Sequence, residues 1–325
     1  MEIKNAILHI IKNDGSPSVY SESELDIDSE ICEQFINKHV KKLLNNPAVR
    51  EATFKAESPV YQCLQGYIIG EINFKDMSIS LAERFDGILN LHVDIPPADL
   101  LAVRFDLKLE QYLAIFKLNY NECYSHETGG EGNSIVKYST VLPFGSGKVE
   151  EACLIPISPM MIRLIEKPHP VNGEMTHYFS EIFLECEAAL SRKETAQIIN
   201  EVTDEFVQEY FENNVVTHAM IKSAMTEEAD DTDGIVSMEG VAGRVFEEAE
   251  ARHNFIHIMQ EAGIVEDVEL GAKFAKQQFG THKLKSESGI EIKFPAEIAD
   301  DDGQMTVENH SDGSVTIVLK RLRVV

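Results

Sequence analysis

The sequence lacks any apolar run long enough to span a bilayer. Its longest stretch without a charged residue, Ser58–Gly70, is thirteen residues, against about 20 predominantly apolar residues for a membrane helix. The opening MEIKNAILHI carries Glu2 and Lys4 and has no basic region, apolar core or small-residue cleavage site, so no secretory signal is read and a cytoplasmic protein is expected. Cysteine is sparse. Cys32, Cys63, Cys123, Cys153 and Cys186 are odd in number and widely spaced, which fits neither a disulfide framework nor a clustered zinc site. Positive charge is also scarce, with 29 Lys and Arg against 55 Asp and Glu for a net charge of −26. Such a field repels polyanions at long range. What is present is ample: 325 residues, 43% apolar, enough for one large core or two ordinary ones.

The acids are unevenly placed. Residues 191–270 carry 5 basic and 19 acidic groups, whereas 1–70 carry 7 and 10 and 271–325 carry 8 and 8. Any anion-binding face is therefore expected near the two ends. Lys38, Lys41 and Lys42, followed by Arg50 and Lys55, form the first basic cluster. Lys283, Lys285, Lys293, Lys320, Arg321 and Arg323 form the second.

Patterning predicts an α+β fold of two domains. Residues 1–190 read as an N-terminal α+β domain of mixed sheet and helix. Residues 191–325 read as an acidic helical segment to about 280, followed by a small antiparallel β module. In the first domain, IKNAILHIIK and SPSVYS flank Asn13-Asp14-Gly15 as a hairpin. A helix capped by Ser29 runs to Asn45, with Ile31, Phe35, Val40, Leu43 and Leu44 on its apolar side. A second helix is expected from Asp76 to near His92, then strands in DLLAVRFDLK and EQYLAIFKLNY, and a hairpin pairing IVKYSTVLP with ACLIPIS across GSGK. Beyond Ser191, helices are predicted in ETAQIINEVTDEFVQEYFE, VVTHAMIKSAM, MEGVAGRVFEEAEARHNFIHIMQEAG and VELGAKFAKQQF, with EEADDTDG as a loop. The tail returns to strands in HKLKSE, GIEIKFP, QMTVEN and SVTIVLKRL.

Motifs that carry chemistry fail on inspection. FGSGKV at 144–149 would need Gly at Leu142 and Ser or Thr at Val149 to complete a phosphate loop, and GGEGN at 129–133 reads as a surface loop. Asp231, Asp233 and Gly234, like Asp300, Asp302 and Gly303, imitate a calcium loop, yet its first and last ligand positions are not carboxylates. Glu250, His253, His257 and Glu261 share about an 80° arc of one helix at 100° per residue, a weak candidate for a divalent metal. The same arc describes a solvated helix face. No G-x-S-x-G elbow occurs, so no catalytic residue and no cofactor are assigned, and a non-enzymatic protein is expected.

The chain resembles the bacterial nucleoid-associated family of the NdpA/YejK type over nearly its whole length. The resemblance is carried by IKNAILHIIK at the front, EYFENNV after the capped helix, and GIEIKFPAEI with MTVENHSDGSVTIVLKRL at the end. It implies a nucleoid location, association with DNA and, for some members, interaction with a type II topoisomerase, while offering no catalytic residues to carry over. The function expected is binding of DNA backbone with little sequence preference by the two basic clusters. A homodimer formed along the apolar C-terminal hairpin would double the patch. The alternative is an acidic interaction module, centred on Glu227 to Asp233, that docks on a topoisomerase, defence complex or other DNA-acting protein and meets DNA indirectly.

Overall fold

The computed structural model describes residues 1–320 apart from 130–131, 145–146, 213, 266, 287, 300, 302 and 311–313. It divides into two compact units, Met1–Ser191 and Arg192–Val325.

The first unit runs β1 (Glu2–Ile11), α1 (Glu30–Leu44), β2 (Arg50–Phe54), α2 (Pro59–Ile68), α3 (Phe74–Leu91), β3 (Ala98–Leu107), β4 (Glu110–Asn119), β5 (Asn121–Gly129), β6 (Gly132–Val141), β7 (Glu151–Pro156), β8 (Ile162–Ile165), β9 (His169–Val171), β10 (Glu174–Thr176) and β11 (Cys186–Ala188). Seven strands form one antiparallel sheet in the order β1-β3-β4-β7-β8-β2-β11. Both faces are covered. Leu100, Ala102, Leu113, Ile115, Cys153 and Ile155 pack with α2, α3 and a π-helical turn at Phe179–Leu184. Leu101, Val103, Phe105, Ala114, Phe116 and Leu154 pack with α1. Burial on both faces is why DLLAVRF and YLAIFKL are almost continuously apolar rather than alternating.

Several elements depart from expectation for identifiable reasons. The return strand after Gly15 contributes only a bridge, Ile10 to Val19, and β1 finds its ladder with β3 instead. α1 buries Ile36, His39, Val40 and Leu43 and leaves Ile31 83% exposed; its Ser29 makes no side-chain cap bond. α2 was not predicted, although Ser58 accepts from the Tyr61 amide and Pro59 occupies the first turn, both helix-start signals. α3 is capped by Asn73, whose side chain accepts from the Asp76 amide, so it starts before Asp76. The expected hairpin between β6 and β7 does not form: β6 pairs with β5, and β7 lies between β4 and β8. β7 is apolar on both faces and must sit inside the sheet. β6 is polar and exposed, and it cannot follow.

The second unit contains α4 (Arg192–Phe211), α5 (Val215–Asp231), β12 (Ile235–Val236), α6 (Met238–Val245), α7 (Ala249–Glu261), β13 (Val268–Glu269), α8 (Ala272–Phe279), β14 (Thr281–Lys285), β15 (Glu291–Pro295), β16 (Met305–Asn309) and β17 (Val315–Leu319). Its helical core gathers Phe206, Phe246 and Phe255, with ring centroids 5.2–5.7 Å apart. Phe246 is also where the single long helix expected from Met238 breaks, its backbone turning extended so that the ring enters this cluster. α5 continues through the segment expected as a loop, to Asp231. It does so because Arg244 answers its acids: Nε meets Glu228 at 2.9 Å, Nη2 meets Asp231 at 2.7 Å and Nη1 meets Glu227 at 3.5 Å. The two terminal hairpins, β14–β15 and β16–β17, form as predicted and pack Leu284, Ile292, Phe294, Met305 and Ile317 against Val215 and Ala219 of α5.

Candidate nucleic-acid interface

Period-two alternation places the side chains of β14 and β15 on two faces. Inward go His282, Leu284, Ile292 and Phe294, all buried or half-buried; outward go Lys283, Lys285, Glu291 and Lys293, all exposed. The register sets Lys283 directly opposite Lys293 and Lys285 opposite Glu291. Like charges directly opposite destabilise a hairpin, and a single carboxylate, Glu291, answers Lys283 at 2.9 Å. The face thus concentrates positive charge at some cost to its own strands. Immediately before it, Lys273 and Lys276 stand exposed one turn apart on α8, two lysines that the sequence reading did not single out.

Beneath this face the chemistry is different. His282 is 2% exposed and neither ring nitrogen has a hydrogen-bond partner. Its ring stands edge-on to His218, centroids 4.7 Å apart, and His218 lies 2.8 Å from Asp204. Burial, with His218 and Lys222 nearby, pushes the His282 pKa down to about 3, so the imidazole is neutral at physiological pH. Burial likewise lowers the Lys222 pKa. The positive charge of this hairpin therefore resides entirely on its outer face.

In the first unit, Lys38 and Lys41 project from the exposed side of α1. Lys41 and Lys42 also occupy the last turn, where cations suit the helix dipole, a structural reason for part of this cluster. Lys42 reaches across to the Gly147 carbonyl, which brings the exposed Lys148 of the discarded FGSGKV motif beside α1. Arg50 is placed otherwise. Its guanidinium donates to Glu166 at 3.1 Å and to the Ala189 carbonyl at 2.9 Å, and the side chain is 15% exposed, so it clasps β2 to its neighbours and drops out of the candidate surface. Lys320 is exposed just past β17; Arg321 and Arg323 lie outside the described residues.

The remaining candidates lie on other elements. His253 and His257 lie on α7 with rings 6.2 Å apart, and His257 is 3.6 Å from Glu261. Among the described residues, no three His, Cys, Asp or Glu side chains converge as a metal-ligand set. Asp231 ends α5, Gly234 closes the turn into β12, and Gly129 ends β5 where Gly132 begins β6; Asp300 and Asp302 lie outside the described residues. No described helix is long and apolar enough to cross a membrane.

One further signal lay in the sequence. Acid-free stretches of seventeen or eighteen residues occur at 34–50, 132–149 and 270–286, and these supply the α1 lysines, Lys148, and the α8 and β14 lysines. The family model described as nucleoid-associated protein YejK matches residues 7–323. The chain belongs to that family. No curated protein matches it significantly. In this YejK-family chain the exposed lysines of α1, α8 and β14 and Lys148 all fall within these acid-free stretches, while Glu291 of β15 shares the outer face of the hairpin.

Proposed function

We propose that this YejK-family chain contacts duplex DNA directly, through phosphates, with little sequence preference and without catalysing a reaction. The observation that carries the reading is the outer face of β14–β15, where Lys283, Lys285 and Lys293 are exposed together and Lys283 stands opposite Lys293. Phosphate contacts position a protein without reading bases, and lysines on a short hairpin suit that role. Lys273 and Lys276 extend the same stretch, and Lys38, Lys41 and Lys148 provide a second basic surface in the first unit. The acidic rival has no comparable observation behind it, since Glu227, Glu228 and Asp231 are already engaged by Arg244.

The test is fluorescence anisotropy of a labelled duplex of about 30 base pairs at several salt concentrations, with an unrelated duplex as competitor. Saturable binding is expected, with log K falling linearly against log salt above about 0.1 M at about 0.9 per phosphate contact and equal competition by the unrelated sequence. No binding at low salt refutes the proposal and returns attention to protein partners, a type II topoisomerase first among them.

A further inference from the structure

Between α1 and the loop that leads into β7 lies a recess of about 160 Å³, whose lining includes His39, Tyr120, Pro143, Gly147, Lys148 and Glu150. That is close to the roughly 150 Å³ of a cavity that admits a benzene ring. Two of the acid-free stretches, 34–50 and 132–149, meet there. His39 is 2% exposed, and its ring packs on Phe35 and Phe116 with centroids at 4.2 and 6.1 Å. Its Nδ1 lies 2.8 Å from the Phe35 carbonyl. A carbonyl can only accept, so the proton sits on Nδ1 and Nε2 is a bare acceptor. Nε2 has no hydrogen-bond partner. The Tyr120 hydroxyl, also in the lining, does not supply one, because it donates to Asp99 at 2.6 Å. Burial, with Lys42 nearby, holds the His39 pKa below its ordinary value, which keeps the ring neutral and leaves Nε2 in need of a donor.

The charge around this recess is positive. Lys148 is exposed, Lys42 bonds the Gly147 carbonyl, and neither has an ion pair among the described residues. The acid of the lining, Glu150, is already engaged by Asn119 at 3.0 Å and by Lys167. We propose that the recess binds inorganic hydrogen phosphate, its O–H donating to His39 Nε2 and its charged oxygens facing the ammonium groups of Lys42 and Lys148. The combination of groups selects this ligand. Water would satisfy Nε2 without using the cations, and an ammonium would satisfy it but be repelled by them. Sulfate or a DNA phosphodiester would meet the cations but has no proton to give. Hydrogen phosphate supplies both charge and donor. Gly147 and Lys148 serve it without forming a nucleotide loop, since they lead into a strand, β7, rather than a helix.

The proposal is independent of the DNA reading, and its test contains no DNA. Isothermal titration calorimetry of the full chain in a phosphate-free buffer near pH 7.5 compares inorganic phosphate, arsenate and sulfate at matched ionic strength. Phosphate and arsenate, which both keep an O–H at that pH, should saturate one site per chain. Sulfate has the same shape without the proton and should bind at least about tenfold more weakly, because it leaves the buried acceptor unpaired. Lys148→Ala should weaken phosphate binding several-fold with an unchanged Tm, since its side chain stands in solvent. His39→Phe should weaken phosphate binding and erase the preference over sulfate, a change in selectivity that a merely structural histidine would not produce. Alanine at Lys283, Lys285 and Lys293 should leave phosphate binding as it is, whatever becomes of DNA binding. Failure to saturate at millimolar phosphate overturns the proposal, and so does equal binding of phosphate and sulfate by the native chain. Binding that survives both Lys148→Ala and His39→Phe would place the oxyanion elsewhere and overturn it too.

Discussion

Replacing Lys283, Lys285 and Lys293 together with alanine separates a phosphate-contacting face from an ordinary solvated one, because the salt dependence of binding should fall while stability holds or rises. Each lost phosphate contact lowers the slope of log K against log salt by about 0.9, so three contacts amount to about 2.7. The structure apportions this unequally. Lys285 and Lys293 have no ion pair with Glu291, whereas Lys283 must exchange its 2.9 Å pair with Glu291 for a phosphate and should contribute least. Glu291→Gln removes that competitor and should tighten binding. Stability should hold or rise by a few tenths of a kcal/mol, up to about 1, as the Lys283–Lys293 opposition is relieved. The slope is read from anisotropy titrations at four or more salt concentrations and the stability from urea denaturation. An unchanged slope with unchanged stability would show that the three lysines are a solvated face, and the proposed interface would be wrong.

Other outcomes follow from the packing. His282 has a native pKa of about 3 against about 6.5 unfolded, so the unfolded chain takes up a proton that the native one refuses; stability should be full near pH 7.5 and fall by up to about 1.4 kcal/mol per unit as pH drops from about 6.5. His282→Phe should flatten that dependence in urea titrations between pH 7.5 and 5, and an unaltered slope would refute it. Gly234 has φ +97°, and a Cβ there would lie 2.5 Å from Gly271 Cα, so Gly234→Ala should cost about 2 kcal/mol, whereas Gly243→Ala, with open space inside α6, should gain roughly 0.5–1 kcal/mol; equal urea midpoints would contradict the close approach. Lys117 and Glu151 are a fully buried pair 3.0 Å apart. Although burial alone would raise it, the contacts with His169 and Lys117 hold the Glu151 pKa down to about 2, so Lys117→Met should cost about 3 kcal/mol, and adding Glu151→Gln should recover part of it.

The legible parts of this fold were those in which local pattern and tertiary environment agree. β3, β4 and the terminal hairpins read correctly because apolar content, strand length and turn residues point the same way. α2 was missed because a charge-free run beginning Ser58-Pro59 resembles a buried segment of any kind, and only its cap and first-turn proline mark it as helix. The break at Phe246 and the extension of α5 to Asp231 depend on a buried aromatic cluster and on Arg244, thirteen or more residues from the acids it holds. The β5–β6 arm was unreadable for a related reason: NECYSHETG has neither an apolar face nor a helical period, and its partner is the strand that seemed suited to β7. At the candidate site, the sequence marked the lysines but not their register. Only the pairing reveals that Lys283 faces Lys293, that Arg50 is occupied by Glu166, and that Lys42 brings Lys148 to α1.

Net charge misleads about this chain because it weights every acid equally, whereas a bound phosphate senses chiefly those within a screening length. That length is about 8 Å at physiological ionic strength and about 30 Å at 0.01 M. Near 0.15 M, a phosphate against Lys285 and Lys293 would be largely shielded from those of the nineteen acids of residues 191–270 that lie beyond a screening length, and under the proposed reading the lysine face decides the outcome. As salt falls toward 0.01 M the reach of those acids grows severalfold, and their repulsion begins to offset the gain from counterion release. The plot of log K against log salt should therefore be linear above about 0.1 M and flatten below it, unlike the straight line of a uniformly basic binder. The same titration at 0.01, 0.03, 0.1 and 0.3 M distinguishes the two shapes. A line that stays straight to 0.01 M would mean that the acidic surface is held well away from the duplex, and that the acids contribute to solubility without limiting where on the chain DNA can sit.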